Sequence, residues 1–217
     1  MGSCIMPIEP KIKRASVFFD GQNLFYAVKD AFGYFFPNYD PELLAHAVCR
    51  ANGWVVRSIH FYTGIPSASD NPFWNSFWVK KLGLMGKRGV KTFSRPLRYR
   101  NQLVRLDDGT ITTALVGEEK GIDVRIAIDV VRMARVGEFD VCVIFSQDQD
   151  LSEVADEIKQ ISIAQGRWIK VVSAFPVSPD YANKRGINRT NWIKIERVLY
   201  DLCIDPLDYR PKLTPPV

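Results

Sequence analysis

Short apolar runs alternate with segments of helical periodicity along nearly the whole chain. Residues 15–19 form a short, mostly apolar run and read as a strand, and residues 23–32 follow with a helical pattern. Asp40-Pro41-Glu42 opens a second helix, with an N-cap acid and proline at the first turn. Residues 54–62 form the next strand pattern and end at Gly64-Ile65-Pro66; Asp70-Asn71-Pro72 then starts a helix reaching about residue 85. A strand over 90–93 precedes two strand-like stretches, 97–106 and 110–116, that flank Asp107-Asp108-Gly109, a hairpin turn signal. The remainder predicts a helix over 121–136, a strand over 140–145, a helix over 149–164, a strand over 168–174, and a short strand and helix within 191–203.

A repeated β-α-β order implies a mostly parallel sheet with helices on both faces, a three-layer α/β/α fold. We expect a 1–14 extension, one domain over 15–205 with a hairpin insertion near 97–116, and a proline-rich tail over 206–217. In such folds ligands bind beyond the carboxyl ends of the strands, near a switch in strand order. Asp20 stands directly after the first strand, and Ser146-Gln147-Asp148-Gln149-Asp150 directly after the one at 140–145. If those strands are parallel neighbours, Asp20 and Asp148 share a rim.

A third acid comes from the next motif, Lys120-Gly121-Ile122-Asp123. Asp123, Ala127, Val130 and Ala134 make one helical stripe, so Asp123 opens a face expected to pack inward. It also suits the positive end of the helix dipole. Asp129 lies between Arg125 and Arg132 at helical spacing and reads as a surface charge ladder. Gathered carboxylates repel one another unless a cation or protons neutralise them, and hard oxygen donors suit Mg²⁺ or Mn²⁺. Asn23 reads as a neutral partner or helix N-cap, Ser146 as a partner or strand terminator, and Lys120 as a phosphate contact or an ion-pair partner of Glu119 or Asp150.

Charge sharpens this picture. The net charge is +5 over 217 residues. Lys80, Lys81, Lys87, Arg88 and Lys91 occupy one stretch, and Arg95, Arg98, Arg100 and Arg105 the next, which suits a polyanion as well as a solvated face. The helix carrying Phe73, Trp74, Phe77 and Trp78 offers aromatic rings, but Trp74, Trp78, Leu82 and Met85 fall on one stripe, as core residues do. Cys4, Cys49, Cys142 and Cys203 are dispersed without metal-site spacing. His46 and His60 lie in apolar segments and read as structural. No apolar run approaches the roughly 18 residues of a membrane helix, and the N-terminus has no signal-peptide pattern, so the expected address is the cytoplasm with no membrane partner.

Together, Asp20-Gly21-x-Asn23 after a first strand, Lys120-Gly121-x-Asp123 opening a helix, and Ser146-x-Asp148-x-Asp150 after a later strand resemble the NYN domain, a branch of the PIN-like nucleases. The likeness runs in order from residue 16 to about 175. It implies a Rossmann-like parallel sheet, a Mg²⁺ or Mn²⁺ site, and hydrolysis of RNA rather than DNA, with Asp20, Asp123, Asp148 and Asp150 as the acidic catalytic and metal-binding set. Asn23, Lys120 and Ser146, with Arg98, Arg100 and Arg105 on the hairpin, would serve the substrate. Gln147 stands where the family more often has glycine, and Leu151 where an aromatic is common. A haloacid-dehalogenase-type phosphatase needs an aspartate where Gln22 stands, and a glycosyltransferase leaves two of the three motifs unused. The remaining alternative is an RNA-binding module of the same fold that cuts weakly or not at all.

Overall fold

The computed structural model describes residues 7–105 and 109–212. Its strands and helices follow in the order β1 (Lys13–Asp20), α1 (Gly21–Phe32), α2 (Pro41–Ala51), β2 (Trp54–Ile65), α3 (Pro72–Lys87), β3 (Lys91–Pro96), β4 (Arg98–Arg105), β5 (Ile111–Glu118), α4 (Ile122–Arg135), β6 (Val141–Phe145), α5 (Ser152–Gln165), β7 (Lys170–Pro176), β8 (Asn191–Ile195) and α6 (Arg197–Asp201). A 3-10 turn, Gln149–Leu151, leads into α5. The main sheet has six strands in the order β3-β2-β1-β6-β7-β8. Every pairing in it is parallel.

Burial on both faces explains the largely apolar runs of β1 and β6. Val17, Phe19, Val143 and Phe145 pack with Leu24 and Val28 of α1, Leu44 and Val48 of α2, and Trp78 and Leu82 of α3. Phe18, Cys142 and Ile144 pack on the other face with Ile126 and Val130 of α4 and Val154 and Ile158 of α5. The expected three layers are thus present. β2 runs past its predicted end because Gly64 and Ile65 pair with Arg95 and Pro96 of β3. Local chemistry sets the helix starts: Asp40 accepts from the Glu42 and Leu43 amides, and Asn71 from the Trp74 amide. No helix among the described residues is long and apolar enough to cross a membrane.

β4 and β5 form a separate antiparallel ribbon, Arg98 opposite Glu118 and Arg105 opposite Ile111. The turn residues 106–108 lie outside the described residues, as do 1–6 and 213–217 with Cys4 and the ends of both termini. Alternation along the ribbon puts Arg98 and Arg100 on one face and Arg105, with Tyr99, on the other.

Charged residues in two places depart from expectation. Asp129 is buried, accepting from the Tyr62 hydroxyl at 3.0 Å and from Arg125 and Arg132 at 2.8 and 3.3 Å. Arg-x-x-x-Asp-x-x-Arg spacing is the same for a surface ladder and for an acid turned inward beneath its arginines, so the pattern alone misplaces it. Lys81, read as solvated, is also fully buried, because the segment around residues 203–205 folds back along 38–40 and covers it. Its ammonium donates to the Tyr39 carbonyl at 2.8 Å and to Asp205 at 3.2 Å. The aromatic stripe fits its core reading, with Trp78, Leu82 and Met85 buried and Trp74 packed half-buried against them. His60 is buried against the Ser58 hydroxyl, whereas His46 is exposed on α2.

Lys81→Ala strands the Asp205 carboxylate without its cation and is expected to cost about 3–5 kcal/mol in chemical denaturation. Arg135→Ala, which breaks an exposed pair with Glu157, should cost less than about 1 kcal/mol. Equal costs would contradict the buried-latch assignment.

Candidate active site

Strand order reverses between β1 and β6: the chain first lays β2 and β3 to one side of β1, then returns to lay β6 on the other. The carboxyl ends of these neighbours therefore form the switch point where α/β sheets take ligands. Asp20 ends β1 on the face of Phe18 and Ile144, and it is 5% exposed. Its Oδ1 accepts from the Asn23 amide at 3.2 Å and caps α1, which consequently begins at Gly21 rather than 23. Its Oδ2 accepts from the Ser146 hydroxyl at 3.1 Å. The Ser146 Oγ in turn accepts from the Asp148 amide at 3.1 Å. Asn23 is not the cap; its side-chain oxygen crosses to accept from the Gln147 amide at 2.9 Å.

Gln147 does not crowd this rim. Its side chain turns away and donates to the Asn183 and Arg185 carbonyls at 3.2 and 2.7 Å, while the Tyr181 hydroxyl donates to it at 3.1 Å. Leu151 is buried in the core.

A cleft of about 480 Å³ opens over the rim, and Asp20, Asp123 and Asp148 all line it. Asp123 reaches it from the first turn of α4, whose start needs Gly121 at φ 72°. Asp150 does not line the cleft; it sits exposed on the 3-10 turn, with its amide donating to Asp148 Oδ1 at 3.0 Å. Lys120 lines the cleft and approaches Glu118 at 3.9 Å, rather than Glu119 or Asp150. Arg98, Arg100 and Arg105 are exposed on the ribbon outside the cleft, and Arg100 pairs with Glu118 at 3.6 Å.

Glu119 is the acid that sequence reasoning missed, having been read only as a partner for Lys120. It lines the cleft and accepts from the Gly64 amide. A Cβ on Gly64 would fall 2.8 Å from the Glu119 carboxylate, so a side chain there would push Glu119 or Leu97 aside. The one available signal is Gly64 itself, at the end of a strand that borders β1. Burial, then the charges of Asp20 and Asp123, push the Glu119 carboxyl up to about 8 despite the Gly64 amide. Burial likewise raises Asp20 to about 6; the Asn23 amide and Ser146 hydroxyl oppose it, and Asp148 and Asp123 add to it.

Oxygen donors of this kind fit a hard divalent cation. Among the described residues no three acid, histidine or cysteine side chains are gathered closely enough to hold a metal ion by themselves. One or two carboxylates plus retained waters is the mode Mg²⁺ prefers, and a cleft of this volume has room for it.

Residues 14–186 match the NYN domain family. No curated protein matches the chain. Among solved structures, a protein of unknown function from Vibrio parahaemolyticus is similar at 18% identity, covering 88% of this chain and 98% of its own, with a TM-score of 0.53. That likeness concerns the fold.

Both raised carboxyls hold protons in the native state that the unfolded chain releases, so the stability they carry is complete at low pH and is lost as pH rises from about 4 to about 8. Glu119→Gln should therefore melt above wild type at pH 8, and the gap should close by about pH 5. Thermal melts across pH measure it; a gap independent of pH would contradict the assignment.

Proposed function

Because this chain belongs to the NYN domain family, we propose that its nuclease-type site is a Mg²⁺- or Mn²⁺-dependent ribonuclease cutting internal RNA phosphodiester bonds. The observation that carries the reading is the meeting of Asp20, Asp123 and Asp148 in one cleft at the β1/β6 switch point. Asp20 and Asp148, which end and follow the adjacent strands β1 and β6, would hold a hydrated cation directly, with Asp123 facing its waters from the α4 side and the exposed Asp150 at the outer edge. When bound, the cation supplies a more acidic water and offsets phosphate charge. Ser146 would serve the substrate indirectly, because its hydroxyl is committed to Asp20 and Asp148, whereas Asn23, whose side-chain oxygen is taken by the Gln147 amide, lines the cleft and would meet the substrate through its amide nitrogen. Burial holds the Glu119 carboxyl in the cleft well above the ordinary carboxylate range, which would suit it to exchange a proton near neutral pH.

Lys120 at the cleft and Arg98, Arg100 and Arg105 on the ribbon would contact RNA phosphates on the way in. Their separation from the acids predicts separable effects. Cleavage of labelled single-stranded RNA should need Mg²⁺ or Mn²⁺ and stop on chelation, whereas binding without cleavage would favour an RNA-binding module. Asp20→Asn and Asp148→Asn should lower the single-turnover rate by orders of magnitude while RNA stays bound. Replacing Arg98, Arg100 and Arg105 together with Gln should weaken binding and reduce the salt slope by about 0.7 per lost contact, leaving the rate at saturation largely intact. An unchanged slope would remove the ribbon from the RNA path.

A further inference from the structure

A second cavity, of about 350 Å³, adjoins the acidic cleft, and Gln22 and Tyr26 of α1 line both. Phe25 and Tyr26 form one wall, Trp74 of α3 another, and Leu97, Tyr99 and Leu115 a third on the ribbon side. The floor is kept low by glycine: a Cβ on Gly117 would lie 3.1 Å from both Leu97 and the Tyr99 ring. Tyr26 is 53% exposed and Leu115 62% exposed, so the cavity presents apolar and aromatic surface to solvent. Among the described residues the Gln22 side chain has no hydrogen-bond partner within the protein.

We infer that this cavity takes one unpaired nucleobase of the RNA whose neighbouring phosphate lies in the acidic cleft, an assignment that rests on the ribonuclease reading. Size selects the occupant: the volume lies at the small end of the roughly 300–1,000 Å³ range of ligand pockets, enough for a base and too little for a peptide helix. Continuity with the cleft selects it again, since a strand with its phosphate over Asp20 and Asp148 brings the adjoining base to Tyr26 and Gln22. Charge agrees, because Lys120 lines the cleft side, where the neighbouring phosphate would lie, and Arg105 shares the ribbon face of Tyr99. Aromatic walls bind a base by stacking, and the Gln22 amide is free to meet its edge. A base so held cannot be paired, so the substrate class is single-stranded RNA or an unpaired loop.

The test is equilibrium binding of a short single-stranded RNA to the full chain in chelator, where nothing is cut, with an abasic ribonucleotide scanned through each position. One position should lose roughly 5- to 100-fold in affinity when its base is removed. Tyr99→Ala, on the exposed ribbon, should bind intact RNA as weakly as wild type binds that abasic strand, and should no longer distinguish the two. Trp74→Phe, which keeps the packing against the core, should retain most of the discrimination. Duplex RNA of the same sequence should bind more weakly. Equal affinity for intact and abasic strands at every position, or tighter duplex binding, would overturn the pocket while metal-dependent cleavage, measured separately, left the ribonuclease reading standing. Absence of RNA binding at low salt would overturn both.

Discussion

Everything at this site depends on how β1 and β6 are joined at their carboxyl ends. Behind the join, Phe19 and Phe145 stack at 4.2 Å and fix the strands in register. At the join, the Ser146 hydroxyl donates to the Asp20 carboxylate and accepts from the Asp148 backbone amide, so it ties the end of β1 to the loop that carries Asp148. Charge buried this way costs stability, and hydrogen bonds from Ser146 and the Asn23 amide return only part of it. The fold tolerates the remainder because both faces of the sheet are packed, which is the usual relation between a strained site and its scaffold.

Much of this was legible in the sequence, for definite reasons. Strands buried on both faces read as largely apolar runs, and Asp40 and Asn71 announce helices by capping chemistry. Asp20, Asp123 and Asp148, which line one cleft, stand out in the sequence because each lies where an element begins or ends, a position that spacing reveals. Other placements depend on partners remote in sequence. Glu119 is held at the cleft by the Gly64 amide, Lys81 is buried only because the chain near Asp205 returns over it, and Asp129 turns inward to meet Tyr62. Asp150 was assigned by its nearness to Asp148, but the 3-10 turn holds it outside the cleft.

On the proposed reading, chemistry and capture occupy separate parts of the molecule. Asp20, Asp123, Asp148 and Glu119 lie over the main sheet, while exposed arginines ride on a ribbon that makes no strand pairing with that sheet. An aromatic cavity stands between the two. Under the proposed ribonuclease reading, this order would let a strand be gripped by charge and oriented by stacking before its phosphate meets carboxylates that would repel it in the absence of a cation.

The most direct test of the central claim is a crystal structure of the chain soaked in Mn²⁺, with anomalous scattering to locate the ion. A peak in the cleft within coordination distance of Asp20 or Asp148, completed by waters and facing Asp123, is the predicted result. A well-occupied peak elsewhere, with these three carboxylates making no contact to an ion, would contradict it.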